Sequence, residues 1–155
     1  MRFQRVRDLV SWVADYHGSL ADQYSKFAAI NSQDRVRMAL EYVADHERMM
    51  QKQMQTYLDE DSDHQGILDT WFDDPVDFTQ LPPIIERLDE GKCCQSVQQV
   101  TDTVLETHKS IQNIYELRAD RANVESDTEF FDMVSKDHDN EVKRLITNIQ
   151  RVEEY

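Results

Sequence analysis

The chain has 155 residues, five histidines, only 3 glycines and 3 prolines, and a formal net charge of −14. That length predicts one domain, residues 1–155, able to bury a core without disulfide staples. The acidic balance argues against nucleic acid or an anionic membrane surface as partner, and no apolar run approaches membrane-spanning length.

Hydrophobic periodicity is helical almost throughout and predicts an all-α fold. The first helix is expected from about Gln4 to Ile30, with the stripe Val6, Val10, Val13, His17, Leu20, Tyr24, Phe27. Asn31 and Ser32 break the pattern, and Ser32 or Asp34 can cap a second helix running to Leu58. Its stripe is Val36, Leu40, Val43, Glu47, Met50, Met54, Tyr57. The acidic cluster Asp59, Glu60, Asp61, Asp63 ends it, since a helix C-terminus disfavours negative charge.

A long connection, about residues 59–92, follows. It carries Trp71, Phe72, Pro75, Phe78, Pro82 and Pro83, so it is not a floppy linker. Its aromatics are expected to lid the helices or to make a homodimer contact. A short helix is predicted from Pro83 to Asp89, stopped by Gly91. The third long helix, about Cys93 to Ala122, has the stripe Val97, Thr101, Val104, His108, Ile111, Tyr115. Ser126 with Glu129 matches a capping box for the fourth. There the stripe is Phe131, Val134, His138, then Glu141 or Val142, Leu145, Ile149, Val152.

Each stripe thus carries an ionisable residue near its middle: His17, Glu47, His108 and His138, with Glu141 one turn further on. A polar group on a core face is costly unless it finds a partner. Side chains meeting at one level inside a bundle can share a metal ion, or can form a hydrogen-bonded polar layer that fixes helix register. His46 lies on the flank of its stripe and is expected at the rim, unless a π-bulge turns it inward. The methionines 49, 50 and 54 read as adaptable core filling. Cys93 and Cys94 read as structural, without Cys-x-x-Cys logic. A charged start, Met1 to Arg7, without a signal-peptide apolar block, leads to an expected cytoplasmic location.

Short turns join the first and second, and the third and fourth, long helices, so each pair is expected to be antiparallel. The connection between the pairs can span the full helix length. The pairs also echo each other: His17 precedes Tyr24 by seven residues and His108 precedes Tyr115 by seven, and each is followed by an Asp-His-acid triplet, at Asp45 and at Asp137.

In these features the sequence resembles the ferritin-like superfamily of the rubrerythrin and bacterioferritin type. The resemblance implies an antiparallel four-helix bundle with a long crossover between its second and third helices. It implies a ligand set placed at His17, Glu47, His108, His138 and Glu141, with Tyr24 and Tyr115 packed above. His17 and His108 stand where that family has glutamates, Met50 stands where its second helix has a histidine, and His138-x-x-Glu141 reverses its Glu-x-x-His. Three histidines and two glutamates balance one divalent ion better than two, and that donor set suits iron or another divalent transition metal. The implied chemistry is oxygen- or peroxide-linked iron redox, or metal binding alone. A metal-free scaffold or adaptor working through its surface as a dimer, and a haemerythrin-like oxygen or metal sensor using His46 as well, are the rival expectations.

Overall fold

The computed structural model describes residues 3–59, 63–72 and 84–154. Among these, four long helices carry the core: α1 (Val6–Ile30), α2 (Asp34–Leu58), α5 (Val97–Arg121) and α6 (Glu125–Glu153). Two four-residue helices, α3 (Gln65–Leu68) and α4 (Glu90–Cys93), lie in the connection between α2 and α5. No described helix is long and apolar enough to cross a membrane.

The expected bounds of α2 hold, but its cap does not. Gln33 is the N-cap and makes no side-chain cap bond; Asn31 Oδ1 instead accepts the Gln33 N–H at 2.9 Å. α1 starts at Val6, where Asp8 reaches back to the Arg5 N–H at 3.0 Å. α5 begins after Ser96, whose Oγ accepts the Gln99 N–H at 3.1 Å. The expected Ser126 capping box does not form, because α6 begins before it: Val124 is the N-cap and its carbonyl accepts the Thr128 N–H. The short helix expected at Pro83 to Asp89 is also displaced. Pro83 lies outside the described residues, Ile84–Asp89 is not helical, and the helical turn is Glu90–Cys93, begun by Asp89 accepting the Gly91 N–H. Gly91 therefore sits inside a helical turn rather than ending one. Glu60, Asp61, Pro75, Phe78 and Pro82 also lie outside the described residues.

The long helices form two antiparallel pairs, α1 with α2 and α5 with α6, and α2 touches both helices of the second pair. End contacts fix the directions. At the end of α1, Asn31 donates to the Cys94 carbonyl just before α5, and Gln33 of the α1–α2 turn donates to Gln95. At the start of α1, Phe72 N–H donates to the Gln4 carbonyl, and the Phe72 ring lies under the Arg118 guanidinium near the end of α5. So α1 and α5 run oppositely, while α2 and α5 run the same way. Tyr42 accepts from Asn148 and Tyr57 packs edge-on to Phe130, which sets α6 antiparallel to α2.

The connection travels along α1 to make this possible. Thr70 and Phe72 bond beside its start, Tyr16 donates to the Ile85 carbonyl at mid-length, and Gln23 bonds both Glu86 and Leu88 further on. Phe72 fulfils the expected lid by packing on Phe131, while Trp71 stays 57% exposed with Arg5 over its ring.

The two pairs differ in closeness for a reason visible in residue size. Ala14, Gly18, Ala21, Ser25 and Ala28 form a line of small residues on α1, at the three- and four-residue spacing of one face. They let α2 approach closely, and a methyl at Gly18 would run into the Gln51 carboxamide. His17 and His108 are 91 residues apart, as are Glu47 and His138. The same shift carries Ala14, Gly18, Ala21 and Ser25 onto Leu105, Lys109, Gln112 and Glu116 of α5. All four of these larger residues line a cleft of about 270 Å³ between α5 and α6, with His108 and His138 also in its wall.

Candidate metal centre

Each long helix places one ionisable side chain at mid-height because its apolar stripe places it there. His17 of α1, Glu47 of α2 and His108 of α5 are fully buried, and their ligand atoms all lie within 4.8 Å of one another. This buried group can hold a metal ion. His17 Nδ1 stands 2.7 Å from Glu47 Oε2, and His108 Nε2 stands 2.8 Å from Glu47 Oε1. His138 of α6 lies outside this closest group but beside it: its ring is stacked on His108 at 5.3 Å and lies 6.3 Å from His17, with Tyr115 edge-on at 5.6 Å.

Proton positions follow from the fixed acceptors. His108 Nδ1 is 3.0 Å from the Val104 carbonyl, which can only accept, so Nδ1 carries the hydrogen. In a neutral ring Nε2 then holds a lone pair, and it faces Glu47 Oε1, which is also an acceptor when ionised. Neither atom finds a partner in hydrogen-bond geometry, and neither does His138 Nε2. Two buried acceptors at 2.8 Å require a positive charge between them, either a proton or a metal ion. Burial pushes the imidazoles of His17, His108 and His138 down to about 3, so they are neutral at pH 7. It pushes the Glu47 carboxyl up to about 7, against the opposing pull of His108. In the absence of metal the intervening proton therefore belongs to Glu47. Neutral imidazole and a nitrogen-plus-carboxylate donor set are the states a transition metal needs.

Glu141 and His46 stand apart from this group. Glu141 Oε2 faces His46 Nε2 at 3.2 Å, again with neither atom in hydrogen-bond geometry, and its other oxygen is held by Arg144 at 3.0 Å. His46 is only 7% exposed, which corrects the expected rim position. No π-bulge is involved, since α2 is regular α-helix; His46 is buried because α2 meets α6 as well as α1. Burial lowers the His46 pKa, with Glu141 and Glu47 pulling it back. Glu141 still lines, with His17, His138, Met50, Met54 and Tyr115, a cavity of about 20 Å³, enough for one water-sized group. Tyr24 is fully buried and feels the Glu47 charge, and Tyr115 packs edge-on to His138.

Gln112 escaped the sequence reading. It lies off the stripe of α5, but its Oε1 is 2.5 Å from His138 Nδ1. His64, outside the repeat, packs between Tyr57 and Phe130, away from the centre. Cys93 and Cys94 are buried free thiols.

Compared with known proteins, the chain matches no family model, no curated protein and no solved structure.

Proposed function

We propose that the chain is a ferritin-like four-helix bundle whose interior binds one divalent transition-metal ion, with iron the first candidate. His17, Glu47, His108 and His138 would hold the ion. The same-direction course of α2 and α5, with a connection running the length of α1, supports the ferritin-like reading over a haemerythrin-like one. The observation that carries the metal reading is the unpartnered, face-to-face contact of Glu47 Oε1 and His108 Nε2.

When bound, the ion would supply Lewis acidity and, as iron, one-electron redox chemistry. The rest would fall to the chain's own residues. Glu47 balances charge in a dry interior. The Val104 carbonyl keeps the His108 lone pair turned inward. Tyr115, Met50 and Met54 wall the small cavity beside His17 and His138, and the α5–α6 cleft reaches His108 and His138 from the other side. His46 Nε2 and Glu141 Oε2 also face each other without hydrogen-bond geometry, across α2 and α6 beside the centre but outside its closest group.

A metal-free scaffold with a polar layer is the second reading, because a proton on Glu47 also satisfies the central contact. Metal analysis of tag-free protein, with and without anaerobic ferrous loading, separates the two. About one equivalent per chain, lost in His108→Ala, is the expected result. No metal in the loaded wild type, with His108→Ala changing only stability, overturns the proposal in favour of the scaffold.

A further inference from the structure

We infer that Gln112 is a positioning residue that fixes the tautomer of His138 and so makes that imidazole the fourth ligand; the inference rests on the metal reading above. The Gln112 Nε2 lies 3.1 Å from the Ser135 carbonyl, 2.7 Å from Ser135 Oγ and 3.3 Å from the Glu116 carboxylate. A carbonyl and a carboxylate only accept, so the amide NH₂ has to face them. The amide oxygen is thereby turned to His138 Nδ1, which must donate to it. A neutral ring protonated at Nδ1 keeps its lone pair on Nε2. That atom is buried, has no partner, and belongs to a ring stacked on His108.

The chain of constraint thus runs from a main-chain carbonyl on α6, through an amide on α5, back to an imidazole on α6. Among the described residues, the α1–α2 pair has no such amide bridge at the matching positions. Ala21 and Ala44 stand where the shift of 91 residues puts Gln112 and Ser135. Glu47, the counterpart of His138, is oriented by His17 instead. Gln112 also lines the α5–α6 cleft, whose wall includes His108 and His138.

Nitrogen NMR of histidine-labelled, metal-free protein reads the tautomer directly, and anaerobic titration with Co(II) reads the ligand set. Wild-type protein is expected to show His138 protonated at Nδ1. Gln112→Leu removes the acceptor; it should move the His138 hydrogen toward Nε2 and weaken Co(II) binding about 10–100-fold, as losing an outer hydrogen bond to a ligating histidine does. Gln112 is half-buried, so the urea midpoint should barely change. Gln112→Glu keeps an oxygen on Nδ1–H, and the Ser135 hydroxyl can donate to its other oxygen; combined with Glu116→Gln, which removes the opposing carboxylate, it should keep the wild-type tautomer. Co(II)-binding wild type with His138 protonated at Nε2, or Gln112→Leu binding Co(II) as wild type does, overturns the role of Gln112 alone. Wild type that takes up no Co(II) overturns the metal reading and the ligand role together.

Discussion

Glu47 is the residue on which the centre turns, because it touches two histidines and carries the only fully buried carboxylate among the described residues. Its carboxyl sits at about 7, so metal has to displace its proton at and below neutrality. Affinity should therefore fall as the pH drops below about 7, roughly tenfold per unit, with about one proton released per ion. Calorimetry in buffers of different ionisation enthalpy checks this. Glu47→Gln should abolish tight binding, by about 100-fold or more, and leave the helical content intact. The histidines have a separate effect on the metal-free fold. They titrate near 3 when folded and from 6.5 when unfolded. Between those values the unfolded chain binds protons that the folded chain refuses, so their contribution is present above 6.5 and lost on acidification. Glu47 works the other way between 4.5 and 7, since there the folded chain holds the extra proton. Three imidazoles outweigh one carboxyl, and urea midpoints should fall from about pH 7 to about pH 5.

At the scale of elements, periodicity was enough to place α1 and α2 and to put His17, Glu47, His108 and His138 at one level. Spacing reports which face a residue occupies, but not what stands opposite it. His46 was misjudged for that reason: α2 has neighbours on more than one side and buries a wider arc than a single stripe. Glu141 was expected at the centre on its spacing; it lines the cavity beside His17 and His138, and spacing could not show that its Oε2 would also face His46 of α2. Gln112 was invisible because an off-stripe glutamine carries no signal until Ser135 is known to face it. The start of α6 was missed because main-chain bonding at Val124 needs no capping side chain. The line of small residues on α1 gives an element-level test. Ala21→Leu should overpack the α1–α2 contact and cost about 1–3 kcal/mol, measured by urea unfolding. An enlarged residue at Leu105, half-exposed in the α5–α6 cleft, should cost far less.

For the whole molecule, the same repeated hairpin has been finished in two ways. One copy is sealed by alanines and a glycine; the other is held apart by longer side chains and bridged by an amide. Opening a tight contact exposes apolar surface, whereas opening a cleft that water already enters exposes little. Amide exchange in the metal-free protein should accordingly be slower in α1 and α2 than in α5 and α6, with the gap narrowing once an ion ties all four together. Under the metal-binding proposal a bare cation would need no global unfolding to get in or out: the looser half would serve as its doorway, the tighter half as the doorframe, and residence time should track how far α5 and α6 part.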